Sequence, residues 1–236
     1  MSPKKADTEP SVPGAIWFRV RPPARSTGSL SRNEIARATV TLLDDGGHAA
    51  LSLRALANRL GVHATSLYWH VSTRDDLLDL AIDTVFSELD LPERPSGRWT
   101  DDIARFMREL RAALLRHPWA GALAASRPLL GPQALQRSEF VYCSLHQAGF
   151  RGPALVAAAA SVSNLVIGST ATESAWHYQD ETTARRAMHQ HLHDHNDRYP
   201  TLASLPGTET DSWTDQFERA MDALLRGLNA QISDLL

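Results

Sequence analysis

Between Ser52 and Val71 the chain reads SLRALANRLGVHATSLYWHV, and few arrangements other than two helices meeting at a tight turn accommodate it. Leu53, Leu56, Ala57 and Leu60 recur at helical spacing behind Ser52, whose hydroxyl suits a helix start, and Gly61 stops the run. Helix resumes from about Ala64. In this second helix only Leu67 and Val71, four apart, share an apolar side, which leaves Thr65, Ser66, Tyr68, Trp69 and His70 for the others. One of two adjacent aromatics ordinarily faces inward, so Trp69 also admits a packing role. As a set, however, hydroxyl, phenol, indole and imidazole donate hydrogen bonds to phosphates and offer apolar contact to thymine methyls, which is what a groove-reading helix needs. Helix, glycine-containing turn and second short helix make a helix-turn-helix, whose second helix enters the major groove of DNA.

The flanks extend the helical pattern. Ser31-Arg32-Asn33-Glu34 is a capping box, followed by Ile35, Ala38, Thr39, Leu42 and Leu43 at helical spacing until Gly46-Gly47 ends the run. A longer helix starts at Ser72-Thr73-Arg74 and carries Leu77, Leu78, Ala81, Ile82, Val85 and Leu89 on one stripe; Pro92 and Pro95 close it. Further periodic stretches run from about 99 to 116, 132 to 148, 153 to 177 and 211 to 235, and no alternating strand pattern appears, so the expected class is all-α with about nine or ten helices. The expected organisation is a flexible basic arm over 1–29, a three-helix DNA-binding domain over 30–75 and a helical ligand-binding and dimerisation domain over 76–236.

Charge supports this division. Residues 1 to 74 hold ten Lys/Arg against five Asp/Glu, a balance of +5, whereas the whole chain carries −3. A basic segment joined to an acidic body suits a polyanionic partner at one end only. The single cysteine, Cys143, allows no internal disulfide and fits a reducing cytoplasm. The N-terminus lacks the apolar region of a secretory signal, and the most apolar tract, PALVAAAASVSNLVIG, is interrupted by Ser161, Ser163 and Asn164, so a buried interface helix is expected there and no membrane partner.

LRALANRLGVHATSLYWHVSTRDDLLD closely resembles the DNA-binding domain of the tetracycline-repressor (TetR) family, above all in its LGV, LYWHV and LLD elements. A weaker likeness continues through Trp99, His117, Arg127-Pro128, LHQAGF over 145–150 and Gly168, so that residues 30 to 235 are covered. The resemblance implies a homodimeric repressor that binds a palindromic double-stranded DNA operator and is released by a small-molecule effector. By position, Arg54 would read a guanine; Ser66, Tyr68, Trp69 and His70 would contact bases or backbone; Ser52, Thr73 and Arg74 would lie near phosphate. Ala64 and Thr65 share the reading helix but replace the Gln-Pro of the tetracycline repressor, so a different operator is expected. Two reading heads must stand about 34–36 Å apart on B-DNA, and a pendulum motion of the helix beginning near Ser72 would spoil that spacing.

For the effector, the expected lining comprises Phe106, Leu110, Trp119, Arg127, Val141, Tyr142 and Asn164, mostly apolar with a few polar groups. An interhelical ion pair is the competing role for Arg127. The repressor's metal-binding His falls near Leu123 or Ala124, and its drug-contacting Asn and Gln near Phe106 and Val141, which argues against magnesium-tetracycline; no cofactor or metal is expected. Dimerisation falls to the helix from Pro153, with Ala157 to Ala160 allowing close approach, and to the final helix. Two further readings stay open: Arg19, Arg21 and Arg25 entering the minor groove, and a helical metal sensor built on His189, His191, His193 and His195 whose DNA role is secondary. Enzyme motifs such as GxSxG, HExxH or a phosphate loop are absent from the sequence, so no enzyme is expected.

Overall fold

In the computed structural model, residues 14–19, 30–177, 180–205 and 212–235 are described. They form helices α1 (Arg32–Ala50), α2 (Leu53–Leu60), α3 (Ala64–Leu67), α4 (Arg74–Ser87), α5 (Trp99–Arg116), α6 (Ala120–Ser126), α7 (Pro132–Gln147), α8 (Gly152–His177), α9 (Glu181–Asp194), α10 (Pro200–Ala203) and α11 (Trp213–Leu235), with no strand among the described residues. The all-α expectation holds. The described residues fall into two compact units, one from those up to 90 together with 116–140, the other from 91–115 together with those from 141 onward.

In the first unit α1 packs along α4, burying Ile35, Val40 and Leu43 of the one and Leu77, Leu78, Ala81 and Val85 of the other. Both helix starts are locked by reciprocal caps. Ser31 Oγ accepts from the Glu34 amide while the Glu34 carboxylate accepts from Ser31, and Thr73 does the same with Asp76. The expected stop is present: Gly46 and Gly47 both leave helical geometry, Gly47 at φ 61°, and a second short helical stretch follows the break to Ala50. Residues 14–19, expected to belong to an unstructured arm, instead form a short 3-10 turn whose Ile16 is buried.

α4 carries a feature that its apolar stripe hid. Asp76, Asp79 and Asp83, at i, i+3 and i+7, are all buried. Asp83 accepts from the Ala134 amide (2.9 Å), so its carboxylate serves the first turn of α7, where amide donors lack helical partners. Burial raises its pKa, opposed by the amides of Ala134 and Gln133. The sign follows: a carboxyl with a folded pKa above its unfolded one contributes stability below the unfolded value and loses it as pH rises through the folded value. Gly131 leaves room for this contact, since a Cβ there would sit 2.1 Å from Asp83 Oδ1. Gly131→Ala should therefore lower stability by about 1–3 kcal/mol through overpacking, read as a reduced melting midpoint.

The second unit buries Ile103, Phe106, Met107 and Leu110 of α5, Leu145 and Phe150, Val162 and Val166 of α8, and Phe217, Met221 and Leu228 of α11. Arg111 bonds Glu173 at 2.6 Å and lies over the Phe217 ring, tying α5 to α8 and α11.

Candidate nucleic-acid interface

The reading unit is assembled by short-range chemistry. Ser52 Oγ accepts from the Ala55 amide at 3.1 Å, starting α2, and Gly61 ends it at φ 66°, where a side chain would be strained. The Val62 amide reaches back to Ala57 O at 3.0 Å, which sharpens the turn. α3 then makes a single helical turn and continues as a hydrogen-bonded turn, with the amides of His70 and Val71 donating to Leu67 O at 2.8 and 2.9 Å. Leu67 (0%) and Val71 (1%) are buried as their spacing predicts. They anchor the segment, and Ala64, Thr65, Tyr68 and Trp69 face outward.

Tyr68 and Trp69 are both on the outside, with Trp69 83% exposed, so the packing role for Trp69 is excluded. Ala64 and Thr65 are exposed, Ser66 and His70 half-buried. On α2, Ser52 and Arg54 are exposed; at the start of α4, Thr73 is half-buried and Arg74 exposed. Thr73 Oγ1 already accepts from the Asp76 amide. Arg74 Nε and Nη2 donate to the carbonyls of Leu51 (3.3 Å) and His48 (2.6 Å), so this guanidinium closes the end of α1. Burial, followed by the charges of Arg74 and Arg127, lowers the His48 pKa, which disfavours the imidazolium there. Arg19 bonds Asp76 at 2.6 Å, in place of the free guanidinium expected for a minor-groove arm; Arg21 and Arg25 lie outside the described residues.

The expected effector residues separate. Phe106, Leu110 and Val141 are buried in the second unit, with Tyr142 half-buried there. Asn164 lies on the exposed side of α8. Trp119 and Arg127 belong to the first unit and are engaged in it. Trp119 Nε1 donates to Asp44 Oδ1 at 2.7 Å, the same oxygen that meets His117 Nδ1 at 2.8 Å, while His117 Nε2 lies 2.9 Å from Glu88. Arg127, 9% exposed, pairs with Asp75 and with buried Asp79, the competing role weighed for it. Sequence reading missed Asp76, Asp79 and Asp83, although three acids at helical spacing inside an apolar run are a usable signal. On α9 the His191 and His195 rings lie 4.4 Å apart, and His195 Nδ1 meets His191 O; among the described residues no group of three or more His, Cys, Asp or Glu is placed to hold a metal ion.

Comparison with known proteins agrees with this architecture. Residues 35–81 match the model for bacterial regulatory proteins of the tetR family, and residues 91–232 the tetracyclin repressor-like C-terminal domain. An HTH-type transcriptional regulator of Saccharopolyspora erythraea is 50% identical over 96% of both chains. The HTH-type transcriptional repressor DrrR1 of Streptomyces coeruleorubidus is 30% identical, covering 92% of this chain and 84% of its own. Among solved structures, ActR of Streptomyces coelicolor in complex with actinorhodin superposes with a TM-score of 0.77 at 28% identity, over 87% of this chain and 99% of its own.

Proposed function

Because the chain belongs to the TetR family of transcriptional regulators, we propose that it is a repressor that grips a palindromic operator as a homodimer and lets go when a small molecule occupies its C-terminal domain. The carrying observation is the outward face of the reading unit: Thr65, Tyr68 and Trp69 stand exposed on a segment anchored by buried Leu67, with Arg54 exposed on the preceding helix. Arg54 suits a guanine O6/N7 pair, and the hydroxyl and aromatic groups suit phosphate and thymine methyl. Ala64 and Thr65 set an operator unlike that of the tetracycline repressor. The repressor DrrR1 supports the repressor reading, and the actinorhodin complex of ActR supports a small organic effector, bound here among Phe106, Leu110, Val141 and Tyr142. The site of action is the cytoplasm, where operator DNA lies.

The partner of α8 is a second copy. This 26-residue helix is long and apolar enough to cross a membrane by composition, yet only 28% of its most apolar window is buried. Its uncovered side carries Ala157, Ala160, Ser161, Asn164 and Gly168, and α11 exposes Ala223, Gly227 and Ala230. Small side chains with interspersed polar groups favour close helix-helix approach, as in a four-helix dimer interface. Ala157→Glu, at an exposed site of the single chain, should leave its helicity intact and convert the protein to a monomer at micromolar concentration, with loss of operator binding. Sedimentation and circular dichroism check this. The functional reading itself is tested by a mobility shift against the chain's own upstream region: specific binding that weakens steeply with salt is expected, and binding indifferent to sequence refutes it.

A further inference from the structure

Residues 14–19 lie against α4, α1 and the stretch between α6 and α7 in a manner that the helix-turn-helix does not require. Ile16 is 1% exposed. The Gly14 amide donates to Asp79 Oδ2 at 2.8 Å in a buried setting, and Arg19 Nη1 bonds Asp76 Oδ2 at 2.6 Å. Arg32 Nη2 donates to Ile16 O, and its guanidinium lies 6.0 Å from the Trp17 ring centre. Gly14 is at φ 82°, and a Cβ added there would stand 2.9 Å from Leu130 Cδ1, so the segment also abuts the stretch between α6 and α7. Trp17 lines a small cleft with Asp79, Ile82, Asp83 and residues 128–131.

Asp79 is the shared node. One of its oxygens takes the Gly14 amide and the other takes Arg127. Residues 14–19 and the 127–131 stretch are thus joined through one buried carboxylate on α4, while Asp76 joins Arg19 to the amides of Ser72 and Thr73 at the head of the same helix. We propose that residues 14–19 form an internal strap that holds α4 in a single position against the 127–131 stretch, and so set operator affinity without touching DNA. The regulatory part rests on the DNA-binding reading; the strap itself does not. Its physical logic is a population shift: a helix held in one place presents the competent reading geometry more of the time, and apparent affinity scales with that fraction.

Two variants and one control test it in the full chain. Ile16→Asp places a charge in a site closed to water, and Arg19→Ala removes one tie only; Phe18→Ala, at a 73% exposed residue, is the control. Amide hydrogen exchange in the first two turns of α4 and at residues 130–134 should accelerate about tenfold in Ile16→Asp and about threefold in Arg19→Ala, with Phe18→Ala unchanged. Binding is read with a duplex that the wild-type chain selects from random-sequence DNA. Affinity should fall about three- to tenfold in Ile16→Asp with the salt slope unaltered, since no phosphate contact is lost. Unchanged exchange overturns the strap. Accelerated exchange with unchanged affinity overturns its regulatory role, and a flattened salt slope replaces it with direct DNA contact. A wild-type chain that selects no duplex defeats the DNA-binding reading and the regulatory role together, and the exchange rates then still decide on the strap.

Discussion

Replacing Tyr68 and Trp69 together with alanine is expected to weaken operator binding by about 100-fold or more while leaving the thermal midpoint within about 2–4 °C. The two halves of this expectation have separate causes. Both side chains project from a segment whose fixed points are Leu67 and Val71, each buried, so truncating the projecting groups removes little packing. Surface substitutions of this kind stay within about 0.5 kcal/mol of folding stability. On the duplex each lost base-edge or backbone contact costs about 1–3 kcal/mol, and two such losses reach the stated factor. Arg54→Ala should behave differently, relaxing the preference at one base pair and reducing the salt slope only if it also meets phosphate. The measurement is a titration across several salt concentrations beside a melting curve. A double variant that binds within threefold of wild type would show that this face does not read DNA.

Asp79→Ala is expected to be the most damaging single change to the fold, at about 3–5 kcal/mol. The carboxylate is 3% exposed and answers both the Gly14 amide and the Arg127 guanidinium, itself 9% exposed. Removing it leaves a buried cation with Asp75, a half-exposed carboxylate, as its remaining ionic partner. Breaking one side of a buried pair costs more than the pair contributes, because the surviving charge remains desolvated. Removing both sides with apolar residues of similar volume relieves that charge, so Asp79→Leu combined with Arg127→Met should recover a substantial part of the loss. Chemical denaturation of Asp79→Leu, Arg127→Met and the double variant closes the cycle. Additive losses would show that the two groups act independently.

How much of this was legible in the sequence depends on distance along the chain. The reading unit was legible because its determinants are local: Ser52 and Ala55, Gly61, and the Leu67/Val71 spacing each act within one or two turns. The capping box at Ser31 and the helical stripes were readable for the same reason. Gly46-Gly47 was readable as a break, because two glycines favour a departure from helical geometry, but the pair does not reveal that helix resumes beyond it. The carboxylate row on α4 was hidden by its partners, which lie 48 to 65 residues away for Arg127 and Gly14 and 57 for Arg19. Acids at helical spacing inside an apolar stripe signal burial, but which groups they meet is settled only once those partners are placed. Residues 14–19 went unrecognised as structure because Pro and Gly surround a short turn whose side-chain anchors, Asp76 and Asp79, lie far along the chain. The expected effector set mixed two kinds of residue for a related reason: aromatic or basic character marks Trp119 and Arg127 as candidates, but their engagement with Asp44 and Asp79 depends on through-space pairing.

The outward position of Trp69 has an optical consequence. The six tryptophans all fall among the described residues, and Trp69 alone of them stands exposed, with Trp119 at the other extreme at 3%. An indole in water emits at longer wavelength than one in an apolar interior, so the red edge of the intrinsic emission reports chiefly on this residue. Occupation of the groove would dim or blue-shift that component, giving a label-free signal of operator engagement from the native chain.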